Sequence, residues 1–273
     1  MNKYWLILFV FAGLLLGTSC SKFSKLQKSG SLDEKLAAAI AYYKSEDYFK
    51  AGTLLEEILP LVRGRAEAEE ATFYLAYTHF QQDEYIMSSY YFKEFYQTYP
   101  RSEHTEEATY MHAKSMYMDS PQYNLDQTNT EGAVKYLQEY ANKYPEGKYM
   151  EEATKLLDEL SAKLRLKSYE NSKLYFKTHN YKSAVVAVKS FIDMYPDSEY
   201  TEEMYFVRFE SQYYLAKHSV EHKQLDRYYE AIDFYHNFVD KYPSSKYVKD
   251  AEELYGDCQL QIQELTTKKT ILN

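Results

Sequence analysis

Two histidines and a glutamate near the C-terminal end have a spacing that could support zinc chemistry. His218, Glu221 and His222 form the pattern H-x-x-E-H, which brings two imidazoles close to one carboxylate, as in inverted zinc peptidases. Such a site needs a third ligand from a distant helix, and little of the chain remains after His222. We therefore predict an exposed polar turn here, with no metal and no cofactor.

The other reactive side chains also favour a structural role. The chain has two cysteines, Cys20 and Cys258, so it has no disulfide framework. Cys258 is expected to be a small buried hydrophobic residue. Paired acids such as Glu106 and Glu107 recur at the same place in a repeated pattern, as charges at helix starts do. The sequence contains no phosphate loop and no dinucleotide fingerprint, so we predict that it is not an enzyme.

The first 19 residues are predicted to be an export signal. Lys3 precedes an apolar run of signal-peptide length, and three small residues then lead into Cys20. This order resembles a bacterial lipoprotein signal, in which the cysteine becomes N-terminal and lipid-modified with palmitate. It departs from the common pattern because Gly17 stands where leucine is usual. An ordinary secretory signal is the alternative.

A polar segment follows the cysteine, and we predict that residues 20–31 form a lipid-anchored flexible tether. Its lysines, Lys22, Lys25 and Lys28, would be attracted only weakly to anionic headgroups. No acidic run follows Cys20. In Bacteroidetes-type lipoproteins such a run is associated with export to the cell surface. Its absence favours the periplasmic face of the outer membrane.

The composition indicates long helices. The 273 residues include only 8 glycines and 6 prolines, and few turn-forming residues mean few turns. The net charge of -9 makes nucleic acid a poor candidate for a partner.

A repeated pattern of small, aromatic and proline residues runs along the chain. Four Tyr-Pro dipeptides each end a helix, because proline cannot continue one and pushes the preceding residue out of the α region. A small residue lies twelve positions before each proline and an aromatic residue lies five positions before it. Eight positions after each proline comes another residue of the pattern, within the following helix, which we call the downstream helix position. The dipeptides begin at Tyr99, Tyr144, Tyr195 and Tyr242. An earlier copy fits the same frame, with Ala51, Ile58 and Ala71, and has Arg63 in place of proline.

This pattern resembles the tetratricopeptide repeat, a helix–turn–helix unit of 34 residues. The resemblance implies an all-α solenoid of about five degenerate repeats plus a C-terminal capping helix, over residues 32–265, with a frayed tail at 266–273. The repeats here are longer than the standard unit. A turn-rich insert is predicted from Asp119 to Thr130 and another around His218 to Asp226. A long helix is predicted from Lys148 to His179, which contains neither glycine nor proline.

The resemblance also implies a binding groove. In tetratricopeptide folds the first helix of each pair lines a concave face, which suits an extended peptide. Eight residues are predicted to lie there, namely Tyr43, Lys44, Phe73, Tyr77, Phe80, Tyr110, Lys114 and Tyr117. The alternative is that these rings simply pack between helices.

The whole chain resembles the BamD family of lipoproteins, which belong to the β-barrel assembly machine of the outer membrane. The signal with its cysteine, the five repeats and two phrases carry this resemblance: Phe191-Ile-Asp-Met-Tyr-Pro-Asp-Ser, and Ser120-Pro-Gln-Tyr-Asn-Leu-Asp-Gln-Thr. It implies that the N-terminal repeats bind unfolded outer-membrane protein substrates and that the C-terminal repeats bind a BamA-like barrel-forming protein. Other assembly-complex subunits would be further partners.

Two other functions fit a repeat lipoprotein. One is a glycan-binding protein of a nutrient-uptake complex, although such chains are usually longer and use tryptophan, which here occurs only at Trp5. The other is a periplasmic scaffold of cell division or the cell wall, although such proteins commonly add a coiled coil and no sustained heptad run is visible.

Overall fold

The computed structural model describes residues 22–272, and in that range every regular element is an α-helix. Residues 22–29 form α1. The helices that follow are α2 Leu32–Lys44, α3 Tyr48–Val62, α4 Glu67–Gln81, α5 Tyr85–Thr98, α6 Thr105–Met118, α7 Thr128–Lys143, α8 Met150–Lys177, α9 Tyr181–Met194, α10 Thr201–Lys217, α11 Glu221–Lys241 and α12 Val248–Leu272. Helices α2 to α11 form five successive pairs, and α12 follows as the capping helix. This confirms the predicted all-α repeat fold.

The Tyr-Pro dipeptides end helices as expected. Each tyrosine is the C-cap of the second helix of a pair, with φ between -118° and -131° and ψ between 60° and 65°. Its backbone N–H donates to the carbonyl four residues earlier, which in each case belongs to the aromatic residue of the repeat pattern. The proline rule therefore sets these four helix ends.

The chain divides into two compact units, Met1–Leu160 and Ser161–Asn273. In the first unit the small residues Ala51, Ser88 and Ala133, each on the second helix of a pair, are fully buried. The Ser88 hydroxyl on α5 lies 2.9 Å from the Ser115 hydroxyl on α6, the first helix of the next pair. In the second unit Ala184 and Ala231 are likewise fully buried. Small side chains let helices approach closely, and the full burial of these five residues agrees with the repeat register predicted from spacing.

The turns within three of the pairs share one backbone feature. Glu46, Asp83 and His179 adopt left-handed conformations, with φ of 63°, 59° and 59°. Each lies just after the first helix of its pair, where a single left-handed residue reverses the chain. Pairs one, two and four therefore have short turns.

Helix α8 is unusually long, as the absence of glycine and proline predicted. It has 28 residues, Met150–Lys177. Two predicted boundaries, by contrast, are wrong. The tail expected to fray from residue 266 is helical as far as Leu272 in α12. The predicted flexible tether is helical over residues 22–29, because Phe23 and Leu26 pack on the first repeat.

The two inserts differ from each other. The first is an irregular loop in which Gln127 is buried and its side-chain amide donates to the backbone carbonyls of Gln122 and Leu125. The second is mostly helical, since α11 already begins at Glu221 and only Ser219 and Val220 separate the cap of α10 from it. Within the described range no helix is both long enough and apolar enough to cross a membrane.

Candidate peptide-binding face of the first helices

The predicted groove residues lie on α2, α4 and α6, the first helices of pairs one to three. Tyr43 is half-buried, and its ring lies 5.2 Å from that of Tyr74 and 6.3 Å from that of Tyr77. Lys44 follows it and is exposed. Phe80 is half-buried, with its ring 5.5 Å from that of Tyr85. These side chains keep part of their surface open to a ligand.

Two of the eight residues belong to the core instead, and this corrects the prediction for them. Phe73 is 8% exposed, with His104 stacked on it at 4.4 Å. Tyr110 is 1% exposed and stacks on Tyr149 with ring centroids 4.6 Å apart. Both lie two residues after the downstream helix position of the repeat pattern, Ala71 or Ala108. There the ring is covered by a residue just before the first helix of the next pair, His104 or Tyr149. Neither can contact a ligand in this arrangement.

Tyr77 forms a polar link between neighbouring first helices. Its hydroxyl donates to the carboxylate of Glu107 on α6. Burial, reinforced by the bond to Glu107, raises the pKa of Tyr77 well above its usual value. The Tyr77 side chain is therefore half-buried, and its hydroxyl is already hydrogen-bonded to Glu107.

Lys114 and Tyr117 make the corresponding links from α6 to α8. The Lys114 ammonium lies 2.8 Å from the Glu152 carboxylate, and the Tyr117 hydroxyl donates to Glu159 over 2.5 Å. The hydrogen bond from Lys114 is the main reason that the pKa of Glu152 is lowered. Lys114 also lies over the ring of Tyr110 at 5.6 Å.

The same kind of link recurs in the second unit. Tyr169 and Lys173 on α8 both donate to Glu203 on α10, each over 2.8 Å. Burial acts to raise the pKa of Glu203, but these two bonds outweigh it and the pKa is lowered. On the next pair of helices the Tyr213 hydroxyl donates to Asp257 on α12 over 2.5 Å. We call these contacts between successive first helices, including those to α12, the inter-repeat pairs.

Sequence reasoning missed the inter-repeat pairs, although a signal for them exists. An acid stands immediately before the downstream helix position of four repeats, at Glu107, Glu152, Glu203 and Asp250. Their position alone indicates only charges at helix starts, as interpreted above for Glu107. The first three accept from a hydroxyl or an ammonium of the preceding first helix.

The fourth acid has a different neighbour. Together with burial, the charge of Asp250 raises the pKa of the Glu210 carboxyl on α10, whereas the corresponding acids of the other repeats accept hydrogen bonds. Burial raises the pKa of Glu210 to about 7, and the charge of Asp250 adds to this effect. Two acidic side chains, Glu210 and Asp250, therefore interact unfavourably at this point.

A separate pocket of about 450 Å³ lies where α3, α4 and α5 meet. Arg63, Arg65 and Tyr99 line it, together with Glu94, whose carboxylate is 3.8 Å from Arg63. Arg63 occupies the repeat position that holds proline in the later copies. None of the eight predicted groove residues is among those that line this pocket.

The remaining chemical candidates have these positions. His218 is the exposed C-cap of α10, and its Nδ1–H donates to the Tyr214 carbonyl, while His222 is exposed in the first turn of α11. Cys258 is fully buried, and burial raises the pKa of its thiol to about 12, which makes it unreactive at neutral pH. The proposed lipid attachment site, Cys20, lies outside the described residues.

Five helix pairs with a capping helix, joined at small buried residues, define a tetratricopeptide-repeat protein. The chain matches the sequence profile of the YfiO family, described as outer membrane lipoprotein, over residues 33–179 and 167–259. Since these segments span most of the chain, it belongs to that family of outer-membrane lipoproteins. The match supports the resemblance to the BamD family of lipoproteins.

Among solved structures, the chain is similar to TTC0263, a thermophilic TPR protein in Thermus thermophilus. The identity is 16%, the match covers 84% of this chain and 100% of the other, and the TM-score is 0.33. Comparison with curated proteins gives no match.

Proposed function

We propose that this protein is a non-enzymatic scaffold of the outer-membrane β-barrel assembly complex. In this proposal it is anchored through lipid on Cys20 at the periplasmic face, and it binds both the barrel-forming subunit and unfolded outer-membrane proteins. The observation that carries the proposal is the family match, which extends from residue 33 to residue 259 across all five repeats. In this proposal the export signal and the lipid anchor bring the protein to the outer membrane, and the repeats bind its partners. None of these functions requires a catalytic site.

The substrate-binding face in this proposal is the open part of the first helices in the first unit. It comprises Tyr43, Lys44, Tyr77, Phe80, Lys114 and Tyr117, without the two buried rings. A barrel strand alternates apolar and polar side chains. Because this face has aromatic rings beside carboxylates and an ammonium group, it can bind both the apolar and the polar side chains of such a strand. Aromatic rings also give a large contact area at low entropic cost. The face is thus amphipathic rather than a continuous apolar strip.

The second unit is proposed to bind the BamA-like partner, as the family resemblance implies. Its first-helix face carries acidic side chains that include Glu203, Glu210 and Asp257. A partner surface with lysines or arginines would complement this charge and would be attracted more strongly at low salt.

Affinity purification from detergent-solubilised outer membrane tests the assembly role. The expected result is co-purification of a large β-barrel protein that carries periplasmic repeat domains. Recovery of a sugar-transport complex or of cell-wall enzymes, without such a barrel, would contradict the proposal.

Peptide titration tests the substrate face. A fluorescent peptide of alternating aromatic and polar residues, about ten long like a membrane strand, is titrated and followed by anisotropy. Phe80→Ala and Tyr117→Ala are each expected to weaken binding by about 1–2 kcal/mol, or roughly 5- to 30-fold, as aromatic anchors do. The matched control is Tyr90→Ala, since Tyr90 is 57% exposed on α5, a second helix. Equal affinity of all four proteins would remove the proposed face.

A further inference from the structure

Helix α1 is docked on the first repeat by one of its faces. Phe23 and Leu26 are partly buried and pack against the apolar cluster of the first repeat, and the Phe23 ring meets that of Tyr42 edge-on at 5.8 Å. The link to α2 is short. At Gly30 a Cβ would lie only 2.6 Å from the Leu26 carbonyl oxygen, so this close turn requires glycine.

The start of α2 is fixed as well. The Ser31 N–H donates to the Glu34 carboxylate over 2.8 Å, and the Glu34 N–H donates to the Ser31 hydroxyl over 3.3 Å. This reciprocal capping box holds the residue that joins the two helices. The orientation of α1 on the first repeat is therefore set by packing on one side and by a capped turn at its end.

The opposite face of α1 is basic. Lys22, Lys25 and Lys28 are exposed, and their spacing of three places them along one side of a helix. Residues 22–32 contain no acid, and among the described residues no carboxylate lies within ion-pair distance of the three ammonium groups. In a chain whose net charge is -9, this helix presents a fixed cluster of three unneutralised positive charges.

We propose that this basic face of α1 rests on the anionic headgroups of the membrane and so orients the first repeat on the lipid surface. The proposal rests on the proposed lipid anchor, since Cys20 precedes α1 by only two residues. A flexible tether would let its lysines sample all directions. A docked helix holds the three lysines on one side. The free energies of their contacts with headgroups therefore add, because no further conformational entropy is lost in ordering the chain. Each lysine near an anionic surface contributes about 1 kcal/mol, or roughly fivefold in binding.

Hydrogen exchange on the anchored full-length protein tests this proposal. The protein is reconstituted in vesicles of phosphatidylcholine alone and in vesicles with about one third phosphatidylglycerol, and exchange of the amides in 22–29 is followed by mass spectrometry. On anionic vesicles exchange is expected to slow at least tenfold relative to neutral ones, and the difference should vanish at high salt, where surface charges are screened.

The decisive variant combines Lys22→Gln, Lys25→Gln and Lys28→Gln. In this variant the amides of residues 22–29 should exchange at the same rate on both kinds of vesicle. Its matched control carries the same charge change at three exposed lysines of the second unit, Lys177, Lys182 and Lys249, and should keep the tenfold difference. Equal exchange of the parent protein on both vesicles would overturn the proposal, as would a difference that persists in the decisive variant. Slowing on neutral vesicles by added inorganic phosphate would also overturn it, because a free anion would then be the ligand.

Failure of the underlying anchor has a different signature. Protein that leaves even neutral vesicles during flotation would show that no lipid chain holds it, whatever α1 does. The two proposals can therefore fail separately in one experiment.

Discussion

Replacing Tyr110 with alanine is expected to destabilise the first unit without removing a ligand contact. The ring is 1% exposed, stacks on Tyr149 at 4.6 Å and lies 5.6 Å from the Lys114 ammonium. Truncating a buried aromatic side chain to alanine costs about 3–5 kcal/mol, which is a large part of the usual 5–15 kcal/mol of a folded domain. With a urea slope of about 2 kcal/mol per molar, the midpoint of the first unit should fall by about 2 M.

The assay is urea unfolding followed by circular dichroism, alongside the peptide titration in native buffer. Tyr110→Phe is the control, since it keeps the ring and its stacking and should stay within about 1 kcal/mol of the parent protein. Under conditions where Tyr110→Ala remains folded, its peptide affinity should be unchanged. A Tyr110→Ala protein with parental stability but lost peptide binding would refute our account, because the ring would then have to face the ligand.

Three other changes have defined outcomes. Ala184→Leu should overpack the fully buried contact in the fourth repeat and cost about 1–3 kcal/mol in urea melts, whereas exposed Lys182→Ala should stay within about 0.5 kcal/mol; equal melts would show that the register is wrong. Labelled palmitate should enter the parent protein and Cys258→Ala but not Cys20→Ala, and label in the last variant would exclude the proposed anchor. Glu210 has its pKa raised to about 7 in the folded state, so its contribution to stability is fully present below about pH 4.5 and is lost as the pH rises towards 7. Glu210→Gln should therefore be more stable than the parent protein at pH 8, by roughly 1 kcal/mol after solvent screening, and equal to it at pH 4; a gain of the same size at both pH values would mean that titration plays no part.

The repeat frame could be read from the sequence because it depends on local rules. Proline after tyrosine ends a helix wherever it occurs, and a small residue at a fixed offset marks a close helix contact, so Ala133 and Ala184 could be placed by counting. The length of α8 followed from the lack of helix-breaking residues. Each of these inferences depends only on residues that are close together in the sequence.

The burial of Tyr110 could not be read in the same way. Its helical position alone allows it to face either a groove or the next repeat, and Tyr149, from the turn before α8, decides between them. That contact joins residues far apart in sequence. The docking of α1 escaped prediction for a similar reason, since two apolar residues in a polar segment are too few to form a pattern, and only the surface of the first repeat gives them a partner.

The inter-repeat pairs have a consequence for how this protein can change through evolution. Each pair joins side chains from successive first helices, such as Tyr77 with Glu107 and Lys173 with Glu203. Losing one partner leaves the other partly buried and unsatisfied, which costs more than replacing both together. Substitutions at these positions should therefore be accepted as compensating pairs, so that in related sequences an acid disappears together with its donor one repeat earlier. Glu210 and Asp250 stand outside this rule, and each should be free to vary alone.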